Sequence, residues 1–344
     1  MKIGDFEIGK GTFIIAELSA NHGHDIHIAK ASMKAAKEVG ADAIKVQTYT
    51  ADTLTIDCSN PYFTINSGTI WDGRTLYDLY KEASMPWEWQ GELMEYAKEL
   101  GILFFSTPYD KTAVDFLEEL KVPAYKVASF EITDLPLITY LAAKGKPILL
   151  STGIASLGEL EEALSACRRV GNDQVVLLKC TSAYPAKIED ANLKTIAHMK
   201  EAFGVEVGLS DHTLGITVPV LSIAFGAKVI EKHFILDRSM GGPDASFSLE
   251  PQEFRQMVDA IREAEKAIGT VDYRMTEKKK SSRLFSRSLF VVEDMKAGEL
   301  LTDRNVRSIR PAYGLKPKYI TEVLGKKARR DIKKGTPVSW DIIE

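Results

Sequence analysis

Cysteine is scarce: Cys58, Cys167 and Cys180 are the only three in 344 residues, scattered and without metal-ligand spacing. That excludes a disulfide framework and a thiolate metal site, and the three read as small buried hydrophobes in a reduced compartment. Long apolar runs are missing too. The longest uncharged stretch, around Val218–Ala227, is too short to span a bilayer. Met1-Lys2-Ile3-Gly4-Asp5 has no apolar core of the kind a secretory signal carries. No G-x-G-x-x-G follows the first apolar segment, which argues against an open dinucleotide-binding sheet. Together these absences predict a cytoplasmic protein with no membrane partner.

What is present is ordinary for a soluble globular chain, with 45% apolar and 27% charged residues. The length accommodates one (β/α)₈ barrel of about 250 residues plus a smaller domain. Charge is unevenly spread: residues 271–344 carry a net +8 and residues 1–270 a net −12. A basic tail suits nucleic acid, an acidic docking surface or an anionic ligand. Few aromatics interleave with those basic residues, so a base-stacking surface is not expected.

Eight near-continuous apolar runs punctuate the first 270 residues: Phe13–Glu17, Ala43–Tyr49, Ile102–Ser106, Ala124–Ala128, Pro147–Ser151, Val175–Cys180, Val205–Ser210 and Lys228–His233. Such runs suit strands buried on both faces. Helical spacing separates them, as in Phe254, Met257, Ile261, Ala264 and Ile268. Strands alternating with helices imply parallel pairing, and eight units imply a closed TIM barrel over residues 1–272. Residues 273–287 are polar and basic and read as a linker; residues 288–344, with strand-like pieces Ser288–Val292 and Val306–Ile309, read as a small β-type domain. The stretch Asp52–Ser84 is a long loop carrying Tyr62, Phe63, Trp71, Tyr77 and Tyr80. It suits either a sugar-binding wall or a packed excursion of the barrel.

Nearly every strand ends in polar or ionisable residues. These include Glu17; Lys45 and Gln47; Thr107; Lys126, Ser129 and Glu131; Ser151; Ser182 and Tyr184; Ser210 and His212; Glu231 and His233. A barrel assembles its active site from this rim, although a single Ser or Asp there is as readily a helix cap. Lys45 and Lys126 interrupt apolar strands, which calls for an anionic ligand or an internal ion pair. His212 and His233 end neighbouring strands, where two imidazoles with open positions suit a catalytic metal; alone, each is as readily a packed core residue.

Read in order, these segments resemble the sialic acid synthase family. The resemblance rests on FIIAELSANH (13–22), AIKVQT (43–48), FSTP (105–108), YKVAS (125–129), LSTG (150–153), KCTSAYP (179–185), GLSDHT (208–213) and IEKHF (230–234). Arg287-Ser288-Leu289, Ile309-Arg310-Pro311 and Leu324-Gly325-Lys326 resemble the C-terminal antifreeze-like (SAF) domain of the same enzymes, a β-clip. Leu18-Ser19-Ala20-Asn21-His22 and the segment from Trp71 to Tyr80 resemble the branch of that family that makes pseudaminic acid.

The resemblance implies a transferase that condenses phosphoenolpyruvate with an amino sugar, 2,4-diacetamido-2,4,6-trideoxy-L-altrose, releasing phosphate and a nine-carbon acid for flagellin or surface-glycan glycosylation. N-acetylneuraminate and legionaminate synthesis are the related alternatives, and a non-catalytic sugar-binding protein on the same fold is the unrelated one. It implies Glu131, Glu17 and Lys126 as catalytic groups. Lys45, Gln47, Thr107, Ser129, Ser151, Ser182, Tyr184, Ser210, Asp244 and Arg310 become substrate contacts, with a turn residue the other reading of Asp244. It further implies Mn²⁺ or Mg²⁺ held by His212 and His233, and a domain-swapped homodimer in which Arg310 crosses to the other subunit.

Overall fold

The chain opens with a hairpin that the apolar pattern does not announce, β1 (Lys2–Ile3) against β2 (Phe6–Glu7); its Ile3 is fully buried. The computed structural model describes residues 1–344 in two units, Met1–Gly269 and Thr270–Glu344. All eight apolar runs become strands within a residue or two of their expected bounds. They are β3 (Phe13–Glu17), β4 (Ala43–Thr48), β5 (Leu103–Pro108), β6 (Tyr125–Val127), β7 (Ile148–Ser151), β8 (Val175–Cys180), β9 (Glu206–Asp211) and β10 (Val229–His233). They pair in parallel, in sequence order, and β10 returns to β3 to close the barrel. Closure covers both faces, which is why the strands are apolar runs rather than alternating ones.

Helices wrap the barrel: α1 (Ile26–Glu38), α2 (Ala51–Leu54), α3 (Leu76–Ala83), α4 (Trp87–Leu100), α5 (Lys111–Leu120), α6 (Leu135–Ala142), α7 (Leu157–Arg169), α8 (Lys194–Phe203), α9 (Thr217–Ala224) and α10 (Pro251–Ile268). Their starts are written locally. Ser156 and Glu159 form a capping box on α7, and Asp110 and Asp134 cap α5 and α6. Gly101 ends α4 in the left-handed conformation, which costs a residue without a Cβ nothing. Along α10, Phe254, Met257 and Ile261 are buried, but Ile268 runs past the barrel and is 51% exposed.

The Asp52–Ser84 loop is ordered by α2, α3 and a bridge between Thr64 and Thr75. Cys58 lies in it only half-buried, unlike Cys167 and Cys180. In the second unit, residues 273–287 are not a bare linker: they hold α11 (Glu277–Arg283). Thr276 caps it and Lys280 pairs with Glu277 at 2.7 Å. Beyond it, β11 (Ser288–Val291) pairs antiparallel with β12 (Val306–Ile309), followed by α12 (Ile320–Val323). This unit has its own core, including Leu289, Val291, Leu301, Val323 and Val338. No helix is long and apolar enough to cross a membrane.

One close approach tests the closure. A Cβ on Gly208 of β9 would sit 2.8 Å from the Cβ of Val229, and closer still to the Val229 carbonyl oxygen on β10. Gly208→Ala should therefore destabilise the barrel by about 1–3 kcal/mol. Thermal unfolding followed by circular dichroism checks this; an unchanged midpoint would show that β9 and β10 part freely there.

Candidate active site

The barrel register gathers charge at one rim. Glu17 pairs in register with both Lys45 and His233, and Glu231 with Ser210. Lys45 Nζ lies 2.8 Å from Glu17 and 3.8 Å from Glu231, and donates to Thr107 Oγ1 at 2.9 Å. Lys126 Nζ stands 3.9 Å from the same Glu231 oxygen and donates to the Val127 carbonyl at 2.9 Å. Ser210 donates to Glu231 at 3.1 Å, and Gln47 donates to Glu17 at 3.1 Å and to Ser19 at 2.9 Å. None of the four charged groups is more than 4% exposed. The two strand lysines are thus met by an internal ion-pair chain, which leaves room for an anionic ligand beside it.

Burial works against every charge here, and neighbours decide which survive. Desolvation pushes Glu17 above the usual carboxylate range despite Lys45. Burial opposes the charge on Glu231 as well, but Lys126 and Lys45 outweigh it and hold its pKa down. Burial likewise disfavours the Lys45 ammonium, and Glu17 with Glu231 more than restores it. Lys126, sharing one distant carboxylate oxygen, is left with a lowered pKa by desolvation.

Directly after β6 a single 3-10 turn, Ser129–Glu131, aims Glu131 at the same rim. Burial raises this carboxyl to about 7 against the pull of Lys126, and its Oε2 is buried without a hydrogen-bond partner. A group poised near neutrality with a free oxygen suits general acid–base work. Ser151 Oγ and Glu231 Oε2 are also buried and unpartnered. Clustered orphans of this kind mark groups that wait for a ligand. Between them, Gly153 N donates to Ser129 Oγ at 3.1 Å. A Cβ on Gly153 would overlap the hydroxyls of both Ser129 and Ser182, so its absence leaves a small hydroxyl-lined cradle. Lys126, the hydroxyls and this cradle suit a phosphate or carboxylate.

The histidine rings of 212 and 233 face one another with centroids 5.3 Å apart. His212 Nδ1 donates to the Thr181 carbonyl at 3.1 Å, which in the neutral ring leaves Nε2 unprotonated; burial opposes its charge, but Cys180 and that carbonyl outweigh burial and raise its pKa. His233 is kept neutral by burial and then by His212, and its Nδ1 is an unpartnered buried atom 3.9 Å from Asp244 Oδ2. Asp244 is no surface turn residue: it is 8% exposed, and burial raises its pKa. No group of three or more His, Cys, Asp or Glu is assembled for a metal. Two imidazoles, that of His233 held neutral, with a carboxylate at hand nonetheless fit a divalent cation that keeps open positions and displaces the proton His212 favours.

Aromatic rings wall this side. Tyr184 packs on His212 at 4.4 Å, and Phe247 on His233 at 5.0 Å. Trp71 reaches in from the long loop to stack on Tyr184 at 5.4 Å and donates from Nε1 to the Pro243 carbonyl at 3.1 Å. The loop is therefore both an ordered excursion and a wall of the site. Of the expected barrel residues, Glu17, Lys45, Gln47, Thr107, Lys126 and Ser210 join one network with Glu231. Ser129 and Ser182 meet at Gly153, and Tyr184, His212, His233 and Asp244 adjoin one another. Arg310 belongs to the second unit, where it directly follows β12 and is exposed. The residue the motifs named without a role is Glu231, the hub of the charge chain. Its signal was a second ionisable group two residues before His233, on the same face of one strand.

Known proteins resemble this chain along nearly its whole length. Residues 32–273 match the NeuB family and residues 286–344 the SAF domain. The pseudaminic acid synthase of Campylobacter jejuni is 49% identical over 335 residues, covering 97% of this chain and 97% of that one. The N,N'-diacetyllegionaminic acid synthase of Legionella pneumophila is 38% identical, over 96% of this chain and 94% of that one. The crystal structure of N-acetylneuraminic acid (sialic acid) synthetase from Leptospira borgpetersenii, in complex with citrate, superposes with a TM-score of 0.74. It shares 32% identity over 82% of this chain and 94% of that one.

The raised pKa of Glu131 has a sign that stability measurements read directly. Below about pH 4.5 the carboxyl is protonated in both folded and unfolded chains. Between there and about 7 the unfolded chain ionises while the folded one holds its proton, so stability is lost as pH rises. Glu131→Gln removes this loss. Its stability advantage over the unsubstituted protein should grow from none near pH 4 to about 1–3 kcal/mol at pH 8. A difference that does not vary with pH in denaturation curves would mean Glu131 is not held protonated by burial.

Proposed function

The chain belongs to the NeuB family, and from that footing we propose that it is a pseudaminic acid synthase. It condenses phosphoenolpyruvate with 2,4-diacetamido-2,4,6-trideoxy-L-altrose and water to give pseudaminic acid and phosphate. The observation that carries this reading is the 49% identity to a pseudaminic acid synthase over 97% of both chains, against 38% to a legionaminic acid synthase. The site supplies the chemistry. Lys45, Lys126 and the hydroxyls of Thr107, Ser129, Ser151 and Ser210 bind the phosphate and carboxylate of phosphoenolpyruvate. Glu17, Gln47, Ser182, Tyr184 and Asp244 hold the open-chain sugar with its aldehyde towards C3 of the enol. The C3–C1 bond forms as the enol π electrons attack the aldehyde carbon, leaving cationic character at C2. Glu131 takes a proton from the water that adds at C2 and passes it to the alkoxide left on the former aldehyde carbon; the tetrahedral adduct then loses phosphate by C–O cleavage, the proton of the C2 hydroxyl leaving with it. A divalent cation, Mn²⁺ or Mg²⁺, held by His212 and His233 supplies Lewis acidity to the aldehyde oxygen.

The same reading makes the protein a cytoplasmic homodimer, in which Arg310 from one copy completes the sugar site of the other. Its support is the exposed position of Arg310 and the opposite net charges of the two regions of the chain, +8 and −12.

Two measurements test the reading. Phosphate release with Mn²⁺ and phosphoenolpyruvate should be clearly fastest on the L-altrose substrate. The comparison sugars are 2,4-diacetamido-2,4,6-trideoxy-D-mannose and N-acetyl-D-mannosamine; preference for either overturns the substrate assignment and spares the chemistry. Glu131→Gln should lower turnover by about 100-fold or more while phosphoenolpyruvate affinity stays nearly the same. Near-normal turnover removes Glu131 from the water-addition step.

A further inference from the structure

Behind the two imidazoles lies an ion pair that none of this chemistry uses. Asp211 and Lys232 are direct register partners on β9 and β10, and each immediately precedes one of the two histidines. Strand alternation sends successive side chains to opposite faces of the wall. Lys232 is fully buried and Asp211 is 4% exposed. The ammonium donates to Asp211 Oδ2 at 2.5 Å and to the Thr213 carbonyl. Thr213 in turn donates to the Asp211 carboxylate, from its backbone N at 3.2 Å and from Oγ1 at 2.9 Å. One lysine therefore ties the turn Asp211–Thr213 to the strand that carries His233.

His212 stands at the centre of that turn, one residue beyond the end of β9. Ladder bonding to β10 stops at Asp211, so the sheet itself does not hold His212. Its backbone is fixed from outside the ladder, by Ala186 N donating to its carbonyl at 3.0 Å and by the Asp211–Lys232–Thr213 cluster. A buried ion pair seldom stabilises a fold more than well-packed apolar residues of the same volume would. Fold stability alone thus gives no reason for a pair here, whereas its place behind both histidines does.

We propose that Asp211 and Lys232 are positioning residues that set the separation and facing of His212 and His233, and so the affinity for the divalent cation. The inference rests on the metal reading above, and its test separates the two. Mn²⁺ binding to the metal-free protein is measured by electron paramagnetic resonance for the unsubstituted protein, His212→Gln, Lys232→Met and the double variant Asp211→Asn/Lys232→Met. Melting curves and metal-free phosphoenolpyruvate affinity are recorded alongside. The double variant should melt close to the parent and keep its phosphoenolpyruvate affinity, because the chain of charges inside the barrel is untouched. Its Mn²⁺ dissociation constant should rise by about 10–100-fold, as for other residues that orient metal ligands. Lys232→Met alone leaves an unpaired buried carboxylate, and should lose melting temperature as well as Mn²⁺. Parent-like Mn²⁺ affinity in the double variant, or failure of that variant to fold, overturns the proposal and makes the pair a plain structural element. Mn²⁺ binding that survives His212→Gln overturns the metal reading itself, and the positioning role with it.

Discussion

Four charges buried inside a closed barrel are the constraint that most of this structure serves. Isolated, any one of Glu17, Lys45, Lys126 and Glu231 would be too costly to desolvate. They are tolerable because the register alternates their signs: Glu17 meets Lys45, which meets Glu231, which also faces Lys126. Glu17 and Glu231 lie on β3 and β10, the two strands whose pairing closes the sheet. Barrel closure and charge compensation are therefore one event. An open sheet would leave Lys45 with a single carboxylate and Lys126 with none within 4 Å.

The fold was largely legible in the chain, for a physical reason. A strand covered on both faces must be apolar along its length, and eight such runs separated by helical spacing admit few architectures. Helix starts at Asp110, Asp134 and Ser156 are equally local, since each cap is satisfied within three residues. The short hairpin of β1 and β2 was not legible, because two-residue strands carry no period to detect. Helix α11 was hidden by its polarity: it buries none of its residues, so it writes no apolar stripe.

The site was legible in its inventory and not in its wiring. Polar residues at eight strand ends announced a rim, but Lys45 gave no hint that its partners stand 28 residues before it and 186 after it, at Glu17 and Glu231. Register decides such pairings, and register is a property of the closed sheet. Asp211 and Lys232 were invisible for the same reason: each looks like one more strand-end charge, and only the pairing of β9 with β10 turns them towards each other. Trp71 likewise read as one aromatic among several in a long loop, until its stacking on Tyr184 singled it out.

Sign alternation along the buried chain has a further consequence for the order of events in the barrel. Two carboxylates already balance two ammonium groups, so the rim is close to electroneutral before any ligand arrives. An anion of two or three negative charges cannot be added to such a cavity by itself at low dielectric cost. Its entry has to be accompanied by positive charge. Two sources are at hand: the raised proton affinity of Glu17 and Glu131, and the divalent cation proposed for His212 and His233. Occupancy by the anion is thereby linked thermodynamically to protons and to the cation: either one favours the anion's arrival, and the anion favours theirs.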